Sequence, residues 1–431
     1  MTGRWSFDTR QIHAGARPDP ATGARATPIY QTSSYVFGDS AHAADAFALR
    51  DLETHAYTRL SNPTTAVAEE RLADLENGKY AVAVASGQAA SALALLNIAR
   101  AGDHIVSSAA LYGGTYQLFA GTLADFGITV DFVTDPADLG QWRAAVKSGT
   151  KALYAESVGN PSGAVLDVEA VAGAAHDAGV PLVVDNTVPT PALSRPLDHG
   201  ADIVVHSTTK FLSGHGTGIG GVVIDSGRFD FRAQPRRWPQ LTEPDRSYHG
   251  LVFGSEFGDL GYALRLRTKL VRDLGPAVSP FTSFLLLQGI ETLSLRMARH
   301  SANAQIVAEW LADRPQVARV DYAGLPGSPW HGLAKRYLAG GAGAVLAFEL
   351  ASGYEAGRRF VDRLKLFSHL ANIGDVRSLV IHPASTTHAQ LDEAQQRAAG
   401  VSAGLVRLSV GLEGADDLIA DLARGLAATE E

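Results

Sequence analysis

Three short apolar runs in this sequence end in polar residues able to do chemistry. Ser86-Gly87-Gln88 follows Tyr80–Ala85 and opens a helical pattern. The free N–H groups and partial positive charge of a helix start suit a phosphate. Asp185 closes Val183-Val184-Asp185, where a carboxylate can hold a ring N–H⁺ or a metal. Ser207-Thr208-Thr209-Lys210 follows Ile203–His206. A lysine near a core is costly unless paired or neutral, and a neutral one can form a Schiff base. The hydroxyls beside it can bond a phosphate. Singly, each has an ordinary alternative: an N-cap, a carboxylate capping a loop, a lysine reaching to solvent. Together they make one device. A phosphate cradle, an acid for a pyridinium nitrogen and a Schiff-base lysine are what pyridoxal 5′-phosphate needs.

Such a device requires the three ends to lie along one sheet edge, and open α/β sheets bind ligands at the carboxyl ends of their strands. Seven runs read as strands: Tyr80–Ala85, His104–Ser107, Thr129–Val133, Ala152–Glu156, Pro181–Asp185, Ile203–His206 and Gly221–Ile224. Helical patterns lie between most of them, around 88–100, 113–126, 138–147 and 167–178, and several stop at glycine. A further helix starts at Asn62-Pro63, with asparagine as cap and proline in the first turn. Near-continuous apolar strands alternating with helices predict an α/β fold, a mostly parallel seven-stranded sheet sandwiched by helices.

Residues 1–65 read as an irregular arm with one short helix capped by Ser40, residues 66–275 as the large domain and 276–431 as a smaller C-terminal α+β domain. In the smaller domain, helical patterns at 283–311, 354–366, 391–399 and 415–427 surround strands near 343–350 and 404–410. The polar stretch 226–265, with Pro235, Pro239 and Pro244, reads as a functional or subunit-contact loop. Gly214 to Gly221 tempts a phosphate-loop reading, but it lacks the Gly-Lys-Ser/Thr ending and precedes a strand, so a turn with close backbone approach fits better.

Composition narrows the classes. With 431 residues, 46% of them hydrophobic, the chain can bury a large core. The absence of cysteine removes thiolate nucleophiles, disulfides and Cys-based metal sites, and no H-E-x-x-H occurs, so no metal site is expected. A net charge of −8 gives no overall draw to nucleic acid or anionic membrane. No apolar run reaches the length of a membrane span or an export signal, so a cytoplasmic protein is the expectation.

Several stretches resemble a known family. They are Tyr57-Thr58-Arg59 with Asn62-Pro63-Thr64, Ala85–Ala89, Leu111-Tyr112-Gly113-Gly114-Thr115, and Glu156-Ser157-Val158-Gly159-Asn160-Pro161. Val184-Asp185-Asn186-Thr187, Ala201–Lys210, Ala371–His388 and Val406–Glu413 continue the likeness. In combination and order these are similar to the fold-type-I pyridoxal-phosphate enzymes of the trans-sulfuration group, and within it to O-acetylhomoserine sulfhydrylases. The resemblance runs from about residue 8 to the C-terminus.

It implies a role for each matching residue. Lys210 would bind the cofactor covalently and shuttle protons. Asp185 would pair with the ring nitrogen, Tyr112 would stack on one ring face and Thr187 would lie near the other. Ser86, Gly87, Gln88, Ser207 and Thr209 would hold the phosphate, joined by Tyr57 and Arg59 of a neighbouring subunit. Asn160 would sit near the cofactor and the substrate carboxylate, which Arg407 would grip with help from Ser378. The assembly implied is a homotetramer of two active dimers. Taken without the resemblance, Tyr57 and Tyr112 read as core aromatics, and Arg59 and Arg407 as surface ion pairs. His382 and His388 have no assigned role.

The reaction implied is γ-replacement: O-acetyl-L-homoserine and sulfide give L-homocysteine and acetate. O-succinylhomoserine sulfhydrylase, cystathionine γ-synthase and methionine γ-lyase chemistry are the alternatives. Val188 departs from the aromatic residue expected after Asp-Asn-Thr, which bears on substrate fit. An acyl-serine hydrolase is the rival from another class, since Ser207-x-x-Lys210 has S-x-x-K spacing and Ser301-Ala302-Asn303 imitates its second motif. Its third motif, however, would be Lys147-Ser148-Gly149, which comes before both. A non-catalytic relative is disfavoured because the lysine, aspartate and arginines are all present. No G-x-G-x-x-G follows the first strand, which argues against a dinucleotide enzyme.

Overall fold

Strands made of valine, isoleucine, leucine and alanine can be covered on both faces, and seven such strands build the main sheet. The computed structural model describes residues 5–387, 389–390 and 400–430. In it, β1 (Tyr80–Val84), β2 (His104–Ser108), β3 (Thr129–Val133), β4 (Thr150–Glu156), β5 (Leu182–Asp185), β6 (Ile203–Ser207) and β7 (Gly221–Asp225) form one sheet in the order β1-β7-β6-β5-β4-β2-β3. All pairs are parallel except those of β7, which runs antiparallel to both β1 and β6. β4 is buried along its whole length. The seven runs read from sequence are these seven strands, with ends shifted by two residues at most.

Helices pack on the sheet as the sequence pattern requires. Asn62 caps the helix Pro63–Leu75, its side chain accepting the Thr64 N–H. Ser86 caps Gly87–Leu96, its hydroxyl accepting the Ala89 N–H. The helix expected after Ser40 is present as Ser40–Phe47, but its cap is Asp39, which accepts the His42 N–H. A carboxylate does this better than the serine beside it, because it also meets the helix's positive end.

The stretch 226–265 is not the open loop expected. Short helices, among them Pro239–Thr242, Phe253–Phe257 and Gly261–Arg265, fold it against the sheet, and Phe231, Trp238, Leu241 and Phe253 are buried in the main core. Pro239 opens a helical turn, while Pro235 and Pro244 are exposed between the short helices.

A second sheet has the order β10-β11-β12-β9-β8, from β8 (Val317–Asp321), β9 (Val345–Leu350), β10 (Ser368–His369), β11 (Leu379–Ile381) and β12 (Leu405–Ser409). The helices Leu293–Ala312, Gly353–Arg363 and Ala415–Ala427 share a core with it around Phe348, Phe360 and Leu422. The pattern read over 283–311 is two helices, Pro280–Ile290 and Leu293–Ala312. The helix expected at 391–399, and His388, lie outside the described residues.

Candidate active site

The carboxyl ends of β4, β5 and β6 open into one cavity of about 270 Å³. Its lining includes Ser86, Gly87, Gln88, Tyr112, Asn160, Asp185, Thr187, Ser207, Thr209, Lys210 and Arg407, eleven of the fourteen residues singled out from the sequence.

One side is a cradle made by backbone. Gly87, in the first turn of its helix, lies so close to Ser207 that a Cβ there would stand 2.5 Å from the Ser207 Cβ. The serine turn and the helix start therefore close on one point, with N–H groups and hydroxyls around it, which is the chemistry of an anion site. Gln88 donates its amide to the Gly114 carbonyl at 3.0 Å, and the Thr209 hydroxyl accepts the Gly220 N–H at 3.1 Å. The glycine run 214–221 provides the close approach expected of it, for a Cβ on Gly221 would meet the Ser86 carbonyl oxygen at 2.1 Å.

The middle of the cavity holds carboxyl groups. Asp185 Oδ1 accepts the Thr187 N–H at 2.9 Å and the Thr187 hydroxyl, which itself accepts the Ser207 N–H at 2.8 Å. Burial pushes the Asp185 carboxyl up, against the Thr187 bonds that pull it down. Glu156 is Asp185's register partner on the neighbouring strand. Burial, and then the Asp185 charge, push the Glu156 carboxyl well above the usual range. Two buried acids side by side are at odds with each other until a cation comes between them or one stays protonated.

Across the cavity stand the basic groups. Lys210 Nζ donates to Asn372 Oδ1. Burial, helped by the Arg407 charge, lowers its pKa and favours the neutral, nucleophilic amine. Gly374 packs against its backbone at a φ of +79°, so closely that a Cβ there would stand 2.9 Å from the Lys210 Cα. Arg407, carried by β12, donates to the Asn372 carbonyl at 3.0 Å and to Asn160 Oδ1 at 3.4 Å. Burial pushes its guanidinium down to about 10, and its Nε has no partner among the described residues. A guanidinium fork with an unused N–H on a cavity wall is suited to a carboxylate. Tyr112 is half exposed at the rim, its ring over Gly114 and its N–H donated to Glu156 Oε1 at 2.6 Å.

Three expected residues stand apart. Ser378 does not reach the cavity: it is fully buried, its hydroxyl donating to Glu413 Oε2 and accepting the Gly411 N–H. The help it was expected to give a substrate carboxylate is not seen in this geometry, because Glu413 and Gly411 already occupy the hydroxyl. Tyr57 and Arg59 lie on the arm, outside this chain's own cavity and exposed, the guanidinium 5.3 Å above the ring. Among the described residues no carboxylate pairs with Arg59. His382 is a buried structural residue, between Ser385 Oγ and the Ala403 carbonyl. The Ser301-Ala302-Asn303 triplet is likewise structural, with Asn303 bonding the Gly411 and Glu413 carbonyls and none of the three lining the cavity.

Sequence reasoning assigned no role to Glu156 or Asn372. Glu156 ends a strand as Asp185 does, and that position was its signal. Asn372 lay within the stretch Ala371–His388, but its place in an irregular segment 162 residues from Lys210 gave no sign of a role. Val188, the noted departure, lines the cavity and leaves it wider than an aromatic ring would.

A family model described as Cys/Met metabolism PLP-dependent enzyme matches residues 8–427. The chain belongs to that family. It is 52% identical over 428 residues to an O-acetyl-L-homoserine sulfhydrylase of Leptospira meyeri, covering 97% of this chain and 96% of the relative. It is 51% identical over 423 residues to a homocysteine synthase of Schizosaccharomyces pombe, covering 97% and 98%. A solved O-acetylhomoserine (thiol)-lyase structure from Campylobacter jejuni superposes with a TM-score of 0.94 at 39% identity, covering 98% of this chain and all of that one. That structure contains N′-pyridoxyl-lysine-5′-monophosphate. The cavity here fits such a cofactor on its own chemistry. The cradle at Gly87 and Ser207 suits the phosphate, the raised acid pair suits a cationic ring nitrogen, and Lys210 is a half-buried amine whose pKa desolvation lowers.

Proposed function

We propose that this protein converts O-acetyl-L-homoserine and sulfide to L-homocysteine and acetate, using pyridoxal 5′-phosphate. The observation that carries the reading is the convergence of Lys210, Asp185 and the Gly87–Ser207 cradle on one cavity, with the Arg407 guanidinium also lining it. The names of the close relatives supply the substrate and the sulfur donor.

When bound, the cofactor supplies an electron sink for negative charge at the substrate Cα. Lys210 holds the cofactor and, once displaced by substrate, takes the proton from Cα and moves protons at the neighbouring carbon. Acetate then leaves Cγ with its bonding electrons, hydrosulfide adds to that carbon, and Lys210 returns a proton. Asp185 keeps the ring nitrogen protonated, and the positive charge of that ring offsets the repulsion between the Asp185 carboxylate and Glu156. Thr187 holds the Asp185 carboxylate in line. Ser86, Gly87, Gln88, Ser207 and Thr209 bind the phosphate, and Tyr112 covers the ring. Arg407 and Asn160 orient the substrate's carboxylate. Tyr57 and Arg59 complete the phosphate site of a neighbouring subunit, so the working unit is a dimer, paired into a tetramer. Support for this last point is that Arg59 is exposed and unpaired among the described residues.

The cofactor assignment is tested by borohydride reduction of the reconstituted protein followed by peptide mass mapping. A pyridoxyl adduct on Lys210, absent from Lys210→Ala, is the expected result. An adduct elsewhere, or none, would overturn it.

A further inference from the structure

Behind the cavity, on the opposite face of the main sheet, three polar side chains are buried together. Glu76 sits at the C-terminus of the helix Pro63–Leu75 and is fully buried, as are Asn186 and His206. Glu76 Oε1 accepts the Asn186 amide at 2.7 Å and lies 2.7 Å from His206 Nε2. Asn186 directly follows Asp185, and His206 directly precedes Ser207. Because side chains alternate across a strand, Asp185 and Ser207 face the cavity while their neighbours face Glu76.

The rest of Asn186 is fixed as well. Its second amide hydrogen goes to the Ser194 carbonyl at 2.8 Å, its amide oxygen accepts the Ser157 hydroxyl at 2.8 Å, and its N–H reaches the Val205 carbonyl at 3.0 Å. An ionisable pair this deep is not the cheapest filling for a core, since apolar residues of the same volume stabilise at least as well. Among the described residues Glu76 Oε2 and His206 Nδ1 even lack partners. General stability therefore does not account for the pair, but its position does.

We propose that Glu76 is a positioning residue that clips the end of β5 to the end of β6. Its carboxylate fixes the separation of Asp185 from the Ser207–Lys210 turn, and so the distance between the group that meets the ring nitrogen and the groups that meet the phosphate. Thr187 makes the matching link on the cavity face, donating to Asp185 and accepting from Ser207. Held from both faces, the two strand ends are set before the cofactor arrives, and preorganisation of this kind raises affinity by reducing the ordering cost of binding.

This inference rests on the cofactor reading above, and the experiment separates the two. Apo-protein is titrated with pyridoxal 5′-phosphate by equilibrium dialysis, and the visible circular dichroism of the bound cofactor is recorded. The variants are Glu76→Ala, the milder Glu76→Asp, and Asp421→Ala as a control. Asp421 is an equally buried carboxylate remote from the cavity that accepts the Lys365, Leu366 and Phe367 N–H groups. All three variants are expected to melt earlier than wild type. Only the Glu76 variants are expected to raise the Kd for cofactor, about tenfold for alanine, and to change the dichroism of the bound ring. If the alanine variant does not fold, the aspartate variant, whose carboxylate falls short by one methylene, decides in the same way. Glu76 variants that bind with the wild-type Kd and dichroism would overturn the clip while leaving the cofactor reading intact. Wild-type protein that takes up no cofactor would overturn both.

Discussion

At the scale of the residue, the strand ends were legible because each broke an apolar run with a group that a buried strand does not otherwise carry. Asp185 and Lys210 are costly where they are unless something charged meets them, and that cost is visible in a linear sequence. Arg407 was not legible this way: as a lone arginine it reads as a surface charge, and only the family likeness moved it into the site. The structure places it half-buried on the cavity wall, with an Nε–H that has no partner among the described residues. Arg407→Lys keeps the charge but loses the planar fork. The KM for the amino-acid substrate is expected to rise about 30-fold, roughly 2 kcal/mol, with a smaller change in kcat. Steady-state kinetics check this, and an unchanged KM would remove Arg407 from carboxylate binding. Ser378 is the converse case: the motif around it was recognised, and its hydroxyl bonds Glu413 in this structure.

At the scale of the element, all seven strands of the main sheet were legible, since burial of most of them forces near-continuous apolar runs and glycines punctuate the rest. Those missed belong to the second sheet: β8, partly exposed along its length, and β10 and β11, only two and three residues long, too short for any periodicity. The stretch 226–265 was misread because its buried aromatics are spread over several one-turn helices, none long enough to show a pattern. One strand end makes a pH-dependent claim. Asp225 closes β7, is buried, and burial pushes its carboxyl up to about 7. The unfolded group ionises near pH 4, roughly its free value. Between about pH 4 and 7 the folded state therefore holds the extra proton, and stability falls as pH rises through that window. Asp225→Asn keeps the acceptor for the Gly227 N–H and removes the charge. Its gain over wild type is expected to be larger at about pH 8 than at about pH 5, by on the order of 2 kcal/mol. Thermal unfolding at the two pH values is the check, and equal gains at both would contradict the assignment.

At the scale of the whole molecule, the arm is the part least readable from physics alone. Nothing in its composition shows where Tyr57 and Arg59 point, and in this chain they stand away from the cavity. Sites shared between subunits make a sharp prediction. Arg59→Ala and Lys210→Ala each abolish most activity, yet mixed and reassembled they restore about a quarter of it, because half the dimers are hybrids with one intact site of two. No recovery would mean that each chain builds its site alone. The central claim concerns the reaction. The most direct measurement is product formation from O-acetyl-L-homoserine with and without sulfide. The account predicts homocysteine only when sulfide is present, and none from Lys210→Ala. Oxobutanoate and ammonia formed regardless of sulfide would contradict it and make the protein a γ-lyase.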